Sequence, residues 1–277
     1  MATEGSSTVS AGFSTRVRHF LARDTESRRY ALRNATQRRL GAMFANFKIS
    51  GLGFFPACIP DSQWLGRKHP EFKGLYQSFF RGNAANNGGD AARLWGLMLN
   101  VKQVLKDNVL GDFAELGVWR GNTAAVLAHY ASASARQVYL FDTFEGFDAK
   151  DLVNVDADKP MVFANTSEAY VRETLGANDA CCRYVKGYFP DSITAECAGR
   201  RYAVVSIDCD LYEPMRAGLE FFYPRLSSGG ILFLHDYSSG IWNGAAKAID
   251  EFCTEHDEFV ILMPDKSGSA FLRKRGR

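Results

Sequence analysis

The sequence predicts an α/β protein: a doubly wound sheet of seven strands with an antiparallel last strand, plus an N-terminal helical extension. Three observations carry this prediction. From residue 111 onward, short runs that are apolar throughout alternate with segments of helical spacing, the pattern of a parallel sheet covered on both faces. Several of these runs end on an acidic residue or a glycine, as strands do where the chain turns toward a ligand at their carboxyl ends. The last two runs, 259–263 and 269–273, are separated only by the turn 264–268. A parallel crossover takes about a dozen residues, so the seventh strand must run antiparallel to the sixth.

Taken in order, residues 1–14 are rich in Ser, Thr, Ala and Gly and read as a disordered tail. Residues 15–108 read as a helical extension or lid, and 109–277 as the main domain. In the extension, Phe20, Leu21, Tyr30, Leu32, Leu40 and Phe44 recur at ragged helical spacing, 51–60 is broken by Gly and Pro, and 75–80 is aromatic. Asp90 then opens a clearer helix over 91–105, with Leu94, Leu97, Met98, Val101 and Leu105 on one face. In the main domain, strand 113–118 leads to helix 122–130 and strand 137–142. Residues 143–165 form a long polar loop, and a loop of that length in a packed domain is functional or mobile. Helix 167–175 starts at Thr166-Ser167-Glu168, which offers capping oxygens. Strands 182–186 and 201–208, helix 213–223, turn 227–230, strand 231–235 and helix 243–256 complete the alternation before the final hairpin.

Composition narrows the function classes. A net charge of +2 in 277 residues gives no electrostatic reason to expect nucleic acid or a membrane as partner. The basic ending Arg273-Lys274-Arg275-Gly276-Arg277 is short enough to be a solvated tail. The six cysteines show no CxxC spacing, which argues against zinc and against a disulfide framework and for a reducing, cytoplasmic setting. Residues 1–10 lack an apolar signal core, and no apolar run is long enough to span a bilayer.

Three constellations carry chemistry. In Glu115-Leu116-Gly117-Val118-Trp119-Arg120-Gly121-Asn122, an acid ends the first strand, and Gly117 and Gly121 let backbone pass close to a ligand. The dinucleotide fingerprint GxGxxG is absent. Asp142 ends the second strand, where a carboxylate can accept both hydroxyls of a ribose. Together these point to a nucleoside-containing cofactor, with NAD and S-adenosylmethionine both open. The third is Asp208-Cys209-Asp210 with His235-Asp236, just beyond two neighbouring strand ends. Crowded acids must be protonated, hydrogen-bonded or metal-bound, and oxygen-rich sets suit Mg²⁺ or Mn²⁺.

On these residues the sequence resembles the macrocin O-methyltransferase family of sugar O-methyltransferases. The likeness rests on 111–121, on Phe141-Asp142-Thr143-Phe144-Glu145-Gly146, on Gly187-Tyr188-Phe189-Pro190-Asp191-Ser192, on 208–213, and on Gly229-Gly230 through His235-Asp236-Tyr237. It implies a Rossmann-like class I methyltransferase fold, S-adenosylmethionine as donor, a divalent metal and a small-molecule acceptor with a free hydroxyl, on a sugar. It also implies Glu115, Gly117, Trp119, Gly121, Asp142, Ser167 and Asp191 as cofactor contacts. Asp208 and Asp236 are implied as metal ligands, and Asp210 as the base that takes the hydroxyl proton.

Where the family has two successive aspartates, this chain has His235-Asp236. His235 has three readings: a nitrogen ligand favouring Mn²⁺ over Mg²⁺, an alternative catalytic base, or a structural histidine. A homo-oligomer is left open. The rival readings are an NAD(P)-dependent oxidoreductase and a non-catalytic methyltransferase-like binding module.

Overall fold

The computed structural model describes residues 68–80, 83, 87 and 90–276. The expectations for the tail 1–14 and for the patterns at 15–48 and 51–60 lie outside the described residues.

Alternation along the strands builds two cores. In β1 (Asp112–Leu116), Phe113 enters one core while Ala114 and Leu116 enter the other. In β2 (Val138–Asp142), Val138 and Leu140 part from Tyr139 and Phe141 in the same way. Every residue of β4 (Tyr202–Ile207) is buried. Such strands bury both faces and therefore need helices on both.

One face is covered by α1 (Phe72–Phe80), α2 (Ala91–Lys106), α3 (Asn122–Ala133) and α4 (Glu168–Leu175), which contribute Phe79, Leu94, Met98, Leu127 and Val171. Beyond the short α5 (Ala195–Ala198), the other face takes α6 (Tyr212–Arg225) and α7 (Asn243–His256), with Met215, Leu219, Phe222, Ile249 and Phe252. Helices α1 and α2, which the sequence assigns to an N-terminal extension, thus share the core of the sheet.

With β3 (Cys182–Lys186), β5 (Leu226–Leu234), β6 (Ile261–Leu262) and β7 (Ala270–Arg273), the seven strands run in the order β3-β2-β1-β4-β5-β7-β6. Strands β1 to β5 pair parallel. Strand β7 inserts antiparallel between β5 and β6, as the short turn before it requires.

Three local differences from the sequence reading matter for the site. Strand β1 stops at Leu116, because Gly117 turns to φ +84° and a Cβ there would lie 2.0 Å from the Asp208 carbonyl oxygen. The turn expected at 227–230 lies inside β5: Tyr202 pairs with Leu226 and Val204 with Ile231, so the intervening residues bulge. The segment after β2 contains short 3-10 turns at Ala149–Asp151 and Asn154–Asp156 and is tied down at several points.

Candidate active site

The strand order reverses between β1 and β4, the switch point at which open α/β sheets leave a crevice beyond the strands' carboxyl ends. A cavity of about 570 Å³ opens there, with Glu115, Gly117, Trp119, Asp142, Asp208, Asp210, His235 and Asp236 among its lining.

At the β1–β2 end, Asp142 holds the backbone that follows β1. Its Oδ2 accepts from the Val118 and Trp119 N–H groups at 2.7 and 2.8 Å, and its Oδ1 accepts from Phe144 N–H at 2.6 Å. Burial raises its pKa, and those three N–H groups oppose the rise. Glu115 is buried, and its Oε2 has no hydrogen-bond partner. Burial, then Asp208 and Asp142, push its pKa well above the usual carboxylate range. A buried acceptor left unpaired is costly, and this one lines the cavity, where a ligand hydroxyl or N–H can satisfy it.

At the β4–β5 end the acids converge. His235 Nδ1 lies 2.8 Å from Asp208 Oδ1 and also contacts Asp236 Oδ2. Burial acts to raise the Asp208 pKa, but His235 and Arg93 hold it below the usual value. Burial, followed by repulsion from Asp208 and Asp236, pushes Asp210 well above it. Asp210 and Asp236 both adopt left-handed backbone, at φ 61° and 59°. Such conformations cost about 1–3 kcal/mol and persist where the surroundings over-determine them, often at functional sites.

Donor atoms of Asp208, His235 and Asp236 lie within 4.8 Å of one another, a spacing that metal ligands share. The nitrogen, however, is already committed. His235 Nε2 is contacted by the Arg93 guanidinium, and Nδ1 faces the two carboxylates. With Arg93 donating to Nε2, the ring hydrogen sits on Nδ1. A charged ring would carry hydrogen at Nε2 as well and set it against the guanidinium, which only donates, so the Arg93 contact selects the neutral ring. That state leaves no lone pair at Nδ1 for an ion, so this donor set does not fit a resident divalent cation held through His235.

Not all of the expected residues meet. Gly121 caps α3 at φ 78° and lies outside the cavity lining. Ser167 caps α4, accepting from Tyr170 N–H at 3.1 Å, and likewise does not line the cavity. Asp191 points outward, 77% exposed, with Lys150 at 3.9 Å.

Two residues escaped the sequence reading. Arg93 is buried, and its only sequence signal is a cation on the apolar face of α2, one turn from Leu97. Asp156, in the segment read as a loop, is fully buried and caps α6 by accepting from Tyr212 N–H at 2.7 Å. That segment also carries Phe147 and Phe163, whose rings pack with each other and with Trp242 at 5.2–6.3 Å.

Residues 85–268 match the family model described as Macrocin-O-methyltransferase (TylF). The chain belongs to this family.

Among relatives, it is 36% identical over 159 residues to the 8-demethyl-8-(2,3-dimethoxy-alpha-L-rhamnosyl)-tetracenomycin-C 4'-O-methyltransferase of Streptomyces olivaceus, covering 53% of this chain and 60% of that protein. It is 32% identical to the mycinamicin III 3''-O-methyltransferase of Micromonospora griseorubida, covering 64% of this chain and 74% of that one. The solved structure of the O-methyltransferase NovP superposes with a TM-score of 0.59 at 24% identity, over 78% of this chain and 100% of that one. That likeness shows the class I methyltransferase fold, seven strands with the antiparallel ending. In this macrocin-O-methyltransferase family member no described helix is long and apolar enough to cross a membrane.

Proposed function

We propose that this chain is an S-adenosylmethionine-dependent O-methyltransferase whose acceptor is a hydroxyl on the sugar of a glycosylated small molecule. The observation that carries the reading is one cavity holding Glu115 and Asp142 at one end and Asp210 at the other. Family membership supports methyl transfer over NAD(P) chemistry, and the names of the relatives support a glycoside acceptor.

The charge of the cavity supports the donor. Its lining includes the acids Glu115, Asp142, Asp148, Asp151, Asp208, Asp210 and Asp236 against the cations Arg93 and Lys266. Burial works against the charge of Glu115 and Asp210, and the excess of acids suits a cationic sulfonium better than the diphosphate of a dinucleotide. When bound, S-adenosylmethionine supplies an electrophilic methyl group. Glu115 and Asp142 accept from its polar groups, and Trp119, which bonds Asn165 Oδ1 at 2.9 Å, closes the side of the pocket. Asp210 takes the proton of the acceptor hydroxyl. Its raised pKa makes it, when ionised, a stronger base than an exposed aspartate. The hydroxyl must reach an in-line position about 3 Å from the methyl carbon, and the rings of Phe147, Phe163 and Trp242 offer an apolar surface for the rest of the acceptor.

Labelled-methyl transfer to a panel of rhamnosides and other deoxyglycosides tests the reading, with calorimetry of S-adenosylmethionine and of NAD. Transfer to a glycoside with binding of the first cofactor alone is expected. Binding of NAD in its place, or no transfer to any glycoside, sinks the proposal.

A further inference from the structure

We propose that Arg93 and His235 form an internal cationic arm that takes the place of a divalent metal, so that this centre holds its carboxylates without a bound ion. The inference rests on the methyltransferase reading above. It comes from the mismatch between two acids placed to grip a metal and a third position whose nitrogen has no lone pair to give.

The arm is built from the sheet outward. Arg93 lies on α2, buried, with its guanidinium 4.8 Å over the Phe79 ring. One terminal nitrogen contacts His235 Nε2 and the other contacts Asn87 Oδ1. Asn87 is held in turn by donating to the Phe79 carbonyl at 2.7 Å. Asp90, 3.6 Å from Arg93 Nε, accepts from Ser267 Oγ at 3.0 Å, so the arginine is clamped between two anchored side chains. A guanidinium in this position is always charged and only donates. It therefore turns the Nδ1 hydrogen of His235 toward Asp208 and Asp236.

The chain Arg93–His235–Asp208/Asp236 brings positive charge to the carboxylates by hydrogen bonds alone. A cation entering between the same acids would meet an N–H where a ligand is needed and a fixed positive charge behind it. Two aspartates in succession at 235–236 would leave an open oxygen set. The imidazole closes it and links it to Arg93. His235 is on this account a positioning residue for Asp208 and Asp236, and Arg93 positions His235.

The test follows Mn²⁺ by electron paramagnetic resonance in chelator-stripped full-length protein, for the wild type, His235→Asp and Arg93→Met, with labelled-methyl turnover measured with and without EDTA. The wild type is expected to leave the free Mn²⁺ signal undiminished and to turn over equally in EDTA. His235→Asp is expected to bind Mn²⁺ at least about tenfold more tightly, with turnover that then requires metal. Arg93→Met is expected to bind Mn²⁺ more tightly than the wild type, because a buried positive charge has been removed.

Stoichiometric Mn²⁺ binding by the wild type, abolished in Asp208→Asn, would overturn the proposal. So would loss of wild-type turnover in EDTA that Mg²⁺ or Mn²⁺ restores. If His235→Asp does not fold, the wild-type arms still decide. Failure of the methyltransferase reading registers separately, as no calorimetric binding of S-adenosylhomocysteine to the wild type.

Discussion

Replacing Asp142 with alanine probes two duties of one carboxylate, one seen in its hydrogen bonds and one proposed for the cofactor. In the free protein it accepts from three backbone N–H groups, those of Val118, Trp119 and Phe144, at 2.6–2.8 Å. A hydrogen bond to a charged group is worth about 1.5–3 kcal/mol net. The three are not additive, and the burial that raises the Asp142 pKa offsets part of the gain. A loss of roughly 2–4 kcal/mol is therefore expected. In a domain of this size each kcal/mol shifts Tm by about 2–4 °C, so the melting temperature should fall by roughly 5–15 °C. The carboxylate is also assigned to the cofactor ribose, so Asp142→Ala should weaken S-adenosylhomocysteine binding at least about tenfold by calorimetry. Asp142→Asn keeps one oxygen for Val118 and Trp119 and should recover most of the stability but less of the affinity. A variant that melts like the wild type would refute the backbone argument. Unchanged affinity in a folded Asp142→Ala would refute the ribose assignment.

Asp210→Asn removes the proposed base while keeping the shape of its side chain, and should lower turnover about 10²–10⁴-fold with cofactor affinity nearly intact. A base works only when ionised. Because burial, Asp208 and Asp236 raise the Asp210 pKa, turnover should fall as pH drops through an apparent pKa above the ordinary aspartate range, and this limb should vanish in Asp210→Asn. Asp156→Ala strips the cap from Tyr212 N–H and should cost about 1 kcal/mol of stability by urea denaturation. It should also speed hydrogen exchange across 143–165, and identical exchange in the two proteins would show that Asp156 does not anchor that segment.

Much of the site was readable from the sequence because its residues stand at the ends of apolar runs. Glu115 and Asp142 stand in the last residues of their strands, and Asp208 and His235-Asp236 directly follow theirs. The existence of each strand needs only local periodicity, and a parallel sheet sends all those ends to one edge. Ser167 makes the helix cap that its place before helix 167–175 suggests, while Asp191 carries a motif position yet faces solvent. A motif marks a place along the chain, while the direction of a side chain depends on packing.

The sequence by itself determined the alternation of strand and helix, the antiparallel ending, the glycine at the tip of β1 and the family. These follow from spacing, from the length of a turn and from short ordered motifs. Only the tertiary structure decided which charges meet. Arg93 reaches His235 across 142 positions of chain, and Asp156 reaches Tyr212 across 56. Neither separation leaves a mark in local periodicity. Whether a buried arginine or a metal ion answers the carboxylates depends on which helix packs over the end of the sheet. Here α2 covers that end and brings its own cation.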